Sequence, residues 1–170
     1  MAYALYCVIP FSKLNNSNRT IKDAAEVIGR SPAALKMKIC NLAALDPDFL
    51  ATGRVGLWGG ISKLDREIYE EFSKDWEGLS TKAESIVGLP LFDLTEPVYN
   101  GDPHRKKSYA EIADKQARKF FRKSVISAYE GRCCITGQSI PQMVIASHIK
   151  PYYVCDKSER ANPANGLLLN

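Results

Sequence analysis

Between Ala117 and Asn170 three kinds of side chain have the type and spacing to do chemistry. His148 stands at the end of an apolar run, Met143-Val144-Ile145-Ala146-Ser147. An imidazole exchanges protons near neutral pH, so one held rigidly at the tip of a strand can act as a general base. Without further context such a histidine is more often structural. Asn162-Pro163 and Asn165-Gly166 follow, and each by itself is an ordinary turn signal. Cys133 and Cys134 are adjacent. A metal knuckle needs cysteines spaced as C-x-x-C, and no such pair occurs anywhere in the chain, so zinc is not expected. The two read more simply as one buried thiol and one turn residue.

Taken together the blocks say more. Cys134-Ile135-Thr136-Gly137, then Ala146-Ser147-His148-Ile149-Lys150-Pro151, then Asn162-Pro163-x-Asn165-Gly166-Leu167 fall in one order with consistent gaps. In these blocks the chain resembles the HNH nucleases, of ββα-metal architecture, in the branch found in bacterial restriction-type endonucleases. The resemblance implies hydrolysis of DNA phosphodiester bonds with an activated water, a divalent cation (magnesium or manganese) on the scissile phosphate and a stabilised leaving oxygen. It makes His148 the general base. It makes Asn165 the middle Asn of the motif, which either pins the loop so that His148 points correctly or helps to hold the metal. Many relatives carry a carboxylate or second His just before the base. Here that position is Ser147, a poor ligand for a divalent cation. The family continues into a helix with a further His or Asp ligand, so the resemblance implies remaining ligands beyond Asn170. Residues 1–170 by themselves are then expected to bind DNA but cut poorly or not at all.

Composition permits this and excludes other classes. The chain has 170 residues, 45% of them hydrophobic, enough for one ordinary domain or two small ones. Its net charge of +4 and pI near 8.8 are compatible with nucleic acid. No apolar run is long enough to span a membrane, and the N-terminus lacks a signal-peptide pattern. Five scattered cysteines suit reduced thiols in a cytoplasm better than a disulfide framework.

The elements that would position the site begin with residues 2–9, an apolar run read as helix and ended by Pro10. Thr20 and Asp23 read as a capping box for a helix stopped by Gly29. Ser31-Pro32 opens the next helix, running to about Ala44 with Leu35, Ile39 and Leu42 inward. Two helices joined by a short glycine turn are a helix-turn-helix signal. The opposite face of the second carries Ala33, Met37, Cys40, Asn41 and Ala44, flanked by Lys36 and Lys38. Asn41 would read an adenine edge and the lysines would meet phosphate, unless another helix covers that face. This segment also resembles the N-terminal module that commonly precedes such HNH domains, which implies DNA-facing roles for Arg30, Ser31, Lys36 and Lys38.

Residues 46–61 read as a loop with Trp58 anchoring it to the core. Ser62 and Asp65 form a second capping box, opening a stripe of Leu64, Ile68, Phe72 and Trp76 that belongs in the core. Asp65, Glu67, Glu70, Glu71, Asp75 and Glu77 would face solvent. From about Leu79 to Ala117 the pattern loosens, with Pro90, Pro97, Gly101 and Pro103, as in a linker, although Tyr109 can begin a helix. His104 to Lys123 is the most basic stretch, with Arg105, Lys106, Lys107, Lys115, Arg118, Lys119, Arg122 and Lys123. It is either a solvated surface or a set of phosphate contacts, the latter favoured for Arg118, Lys119, Arg122 and Lys123. Phe121, Val125, Ala128 and Tyr129 would face inward.

The expectation is an α+β, mostly helical chain. A helix-turn-helix-like domain occupies residues 1–80, a basic linker 81–117, and the front of a ββα-metal domain 118–170. The partner would be double-stranded DNA, and cutting two strands with one site per chain favours a homodimer. The rivals are a non-enzymatic helix-turn-helix regulator and a module that docks another protein through Ala33–Ala44.

Overall fold

The computed structural model describes residues 1–87 and 109–170. Helix α1 spans Ala2–Val8, and Pro10, which lacks a backbone donor, keeps it from continuing. Helix α2 spans Arg19–Val27. Its N-cap is Asn18, whose side chain accepts from the Ile21 amide at 3.3 Å. The box expected at Thr20 and Asp23 does not form, because Asn18 takes the cap and leaves Thr20 inside the first turn. Gly29 ends the helix at φ +63, with Arg30 N–H returning to the Ala25 carbonyl at 2.8 Å. This is the left-handed exit that a glycine makes cheaply. Ser31 caps helix α3, Pro32–Ala43, by accepting from the Ala34 amide, with Pro32 in the first turn. Ile21, Ala24 and Ala25 of α2 close with Leu35 and Ile39 of α3 over Leu5 and Ile9. Each large aliphatic side chain buried there contributes about 1.5–3 kcal/mol.

Residues 46–61 are more ordered than a loop. Asp46 caps a short helix α4, Pro47–Ala51, which buries Phe49. Phe49, not Trp58, is the anchor: Trp58 lies in a single 3-10 turn and is 54% exposed. Helix α5, Lys63–Phe72, has the expected Ser62–Asp65 capping box. Its first turn faces differently from the expectation. Asp65 is buried against α3, held by the Lys38 ammonium at 2.7 Å, so Leu64 swings out to 61% exposure. Ile68 and Phe72 do join the core, and Trp76 begins a separate helix α6, Trp76–Val87.

Helix α6 therefore takes in residues 81–87, and helix α7, Tyr109–Ala128, takes in 109–117, two stretches expected to be linker. Pro90, Pro97, Gly101, Pro103, Arg105, Lys106 and Lys107 lie outside the described residues. Consecutive residues on a helix point about 100° apart, and α7 uses this at Phe120 and Phe121. Phe120 and Ala117 pack with Tyr3, Ala4, Leu42, Phe72, Leu79 and Ala83. Phe121 and Val125 pack instead with Val144 and Leu168. Tyr129 is half-buried and donates to the Gly166 carbonyl at 3.3 Å, whereas Ala128, expected inward, is exposed.

Strand β1, Ile145–His148, pairs antiparallel with β2, Gly166–Leu169, His148 opposite Gly166 and Ile145 opposite Leu169. Between them lies helix α8, Lys157–Arg160. Among the described residues the fold is α+β and mostly helical, with one two-stranded sheet. All five cysteines are free thiols. No helix among the described residues is long and apolar enough to cross a membrane.

Candidate active site

The hairpin sits on α7 because Gly166 has no side chain. A Cβ there would lie 2.4 Å from Val125 Cγ2 and 2.9 Å from Phe121 Cζ. That close approach brings His148, across the strand pair, onto the aromatic face of α7. Its imidazole stacks on Phe121 with centroids 3.6 Å apart and planes 11° from parallel. Tyr152 meets it edge-on at 5.4 Å. The Nε2 atom lies 2.9 Å from the Arg160 carbonyl oxygen. A carbonyl can only accept, so in the neutral ring Nε2 carries the proton and Nδ1 keeps the basic lone pair. The ring is half-buried rather than sealed in the interior.

Residues 149–162 reach Arg160 through a loop braced by one side chain. Asn165 Oδ1 accepts from the Lys150 amide at 2.9 Å, and its Nδ2 donates to Cys155 Sγ at 3.3 Å and the Lys150 carbonyl at 3.4 Å. The Asn165 carbonyl also accepts from the Ile149 amide at 2.9 Å. Asn162 caps the 3-10 turn that carries Asn165, accepting from Ala164 N–H. Asp156 and Glu159 form a capping box on α8. The Glu159 carboxylate receives the Lys150 ammonium, which lowers the pKa of Glu159 and raises that of Lys150. These are exposed groups, so the pair orders the loop more than it stabilises the fold.

The adjacent cysteines divide as the sequence suggests: Cys133 is buried and Cys134 is exposed. The Cys133 thiol is brought down to about 7, chiefly by the Thr136 hydroxyl and amide, and lies 3.1 Å from Asn170 Oδ1.

Basic groups surround this hairpin unevenly. Arg118 is exposed, paired with Asp114 at 3.1 Å and stacked 4.1 Å over the Tyr152 ring. Arg122 reaches the Val144 carbonyl at 3.5 Å, and Lys119, Arg122 and Lys123 are half-buried rather than fully outward. Tyr152 and Arg160 carry no motif of their own in the sequence. The aromatic pair Tyr152-Tyr153 directly after Pro151 was the available signal.

The N-terminal candidates lie on α3, away from the imidazole's immediate contacts. Arg30 and Ser31 are exposed at its start, the Ser31 hydroxyl serving as the cap. Lys36 is half-buried, and Lys38 is committed to Asp65. Asn41 cannot read a base edge. It is fully buried and donates to the Gly60 carbonyl at 2.8 Å. The cover is not another helix but the 53–61 loop, where Gly56 presses on Ala44 so closely that a Cβ would lie 2.4 Å from the Ala44 nitrogen. Ala33 and Met37 stay exposed.

A cation site is harder to build from these groups. Among the described residues no cluster of three His, Cys, Asp or Glu side chains could hold a metal ion. Ser147 is a poor ligand, and the Asn165 carboxamide is spent on the loop. The residues present therefore do not fit a divalent ion as a ready-made cage.

Residues 133–170 match the HNH endonuclease family. The match supports a nuclease, a hydrolase with DNA as substrate, and nucleases of this family generally use divalent metal ions. No curated protein and no solved structure matches the chain.

Proposed function

We propose that the chain is a restriction-type DNA endonuclease in which His148 is the general base. The observation that carries this reading is the imidazole itself, fixed on Phe121 with Nε2 bound to the Arg160 carbonyl and Nδ1 left as the acceptor. Water bound at Nδ1 gives up a proton as its oxygen attacks phosphorus and the bond to the leaving sugar oxygen breaks. The imidazolium that forms keeps its Nε2–H bond to Arg160, so the ring does not turn during proton transfer. Asn165 acts by bracing the loop. The divalent cation characteristic of such nucleases supplies charge neutralisation on the phosphate when bound.

In this reading residues 1–80 read the DNA site through α2 and α3, with Arg30, Ser31 and Lys36 at the groove. Residues 118–170 cut, with Arg118, Lys119, Arg122 and Lys123 on phosphates, and the chain pairs as a homodimer to sever both strands. Plasmid cleavage in magnesium or manganese tests it, with enough protein to read the weak cutting expected of residues 1–170 by themselves. His148→Ala should slow cutting by about 10²–10⁴-fold, and equal cutting by that variant overturns the base assignment. One alternative is a non-enzymatic helix-turn-helix DNA-binding protein. Tight, salt-sensitive duplex binding with no cutting by the parent chain would select it.

A further inference from the structure

We infer that Tyr152 is a positioning residue for His148, a strut footed on Asp114 that holds the imidazole in its Nε2–H form. The inference rests on the reading of His148 as general base. It concerns a separate group, and four observations meet there. The Tyr152 hydroxyl donates to the Asp114 carboxylate on α7. Arg118, one turn on, pairs with the same carboxylate and lies over the Tyr152 ring. The ring also meets the His148 imidazole at 5.4 Å and, at 5.3 Å, the guanidinium of Arg160, the residue whose backbone carbonyl accepts from that imidazole. Arg160 is itself turned back onto the loop, its Nε donating to the Cys155 carbonyl at 3.2 Å.

The physical consequence is geometric. The acceptor that fixes the tautomer is a backbone carbonyl on a four-residue helix, a weak element by itself. Asn165 ties the loop to β2, but those bonds act at Lys150, Ile149, Cys155 and Glu159, not at the ring. Tyr152 touches both the ring and the acceptor residue and is also fastened to the long helix beneath. Remove its foot and the 2.9 Å contact between Nε2 and the Arg160 oxygen loses its spacer. The proton is then free to sit on Nδ1, the nitrogen required to accept from water.

Imidazole nitrogen NMR of the 15N-labelled chain reads this directly, because His148 shares the sequence with only one other histidine, His104. His104→Gln assigns the signals. The parent should show His148 as a single Nε2–H tautomer. Tyr152→Phe and Asp114→Ala should raise the Nδ1–H tautomer by roughly two- to tenfold, the range set by one net hydrogen bond. Asp114→Asn, whose amide oxygen can still accept from the phenol, should restore the parent spectrum. Tyr153→Ala, at an exposed neighbouring ring, should leave it unchanged. A His148 spectrum in Tyr152→Phe identical to the parent's overturns the strut, whatever the melting temperature does. The two readings fail separately. If cutting survives His148→Ala while the tautomer shifts as stated, the base assignment falls and the strut stands. If His148→Ala abolishes cutting but Tyr152→Phe leaves the ring untouched, the strut falls alone.

Discussion

The helices of residues 1–87 and the hairpin of residues 133–170 hold their key side chains by opposite means. In the first, position follows from burial. Leu5, Ile21, Leu35 and Ile39 close over one another, and the buried Asn41 and Asp65 find their partners, the Gly60 carbonyl and the Lys38 ammonium, within that packing. In the second, little is buried beyond Cys133, Val144, Cys155, Ala161, Gly166 and Leu168, and position follows from directed hydrogen bonds on a loop. Burial is tolerant of detail and costs kilocalories when lost. A hydrogen-bonded loop holds an angle, and loses function before it loses stability.

That contrast can be broken or sharpened by substitution. The largest effect is expected at Phe120, fully buried where the two regions meet. Phe120→Ala should cost about 3–5 kcal/mol, and circular dichroism and tryptophan fluorescence should report one shared, earlier denaturant transition. Gly166→Ala comes next. Its Cβ would meet Val125 and Phe121, and overpacking of this kind costs about 1–3 kcal/mol. Its mark should be lost hydrogen-exchange protection in the hairpin with the α1–α3 core still protected. Asn165→Ala should shift the melting midpoint less, because partly exposed donors regain water, yet expose the Lys150 amide to exchange and lower cleavage. Equal losses of stability from Asn165→Ala and Phe120→Ala would erase the distinction drawn above.

A pH effect belongs to the helical region. Burial alone would raise the Asp65 carboxyl, but hydrogen bonds from Lys38 and from Ser62 outweigh it, and its pKa lies below the usual value. A depressed folded pKa contributes stability above the unfolded value, about 3.9, and that stability is lost as pH falls through the folded one. Acid titration of the α1–α6 region should show this loss, and Asp65→Asn should flatten it. The smallest effect on stability is expected from reversing Lys119, Arg122 and Lys123 to Glu. DNA affinity should fall and its salt dependence flatten, by about 0.9 in log–log slope for each phosphate contact removed.

Local chemistry was readable from sequence wherever one residue decides it. Gly29, Ser31-Pro32 and the Ser62–Asp65 box mark helix ends that form as written. Asp46-Pro47 carries the same signature, and the short helix it opens is masked in the sequence by the glycine-rich residues that follow. Asn18 takes the cap in place of Thr20 because either residue type can cap, and local sequence does not choose between them. Asn41 departs from the expectation for a tertiary reason: the 53–61 loop folds back over α3, which helical periodicity cannot disclose. At the candidate site, His148, Asn165 and the cysteine pair stood out through motif spacing. Asp114 and Tyr152 did not, because 38 residues separate two partners that only the seating of the hairpin on α7 brings together.

Phe120 and Phe121 are neighbours in the chain but are gripped by different cores, like adjacent teeth of one shaft engaged in two gears. Such a shaft cannot turn for one gear alone. A movement of α1 or α6 that rolls α7 by even part of a residue must carry Phe121 with it, and the imidazole rests flat on that ring. One helix thus sets both the seat of Phe120 in the α1–α6 core and the ring on which the imidazole lies.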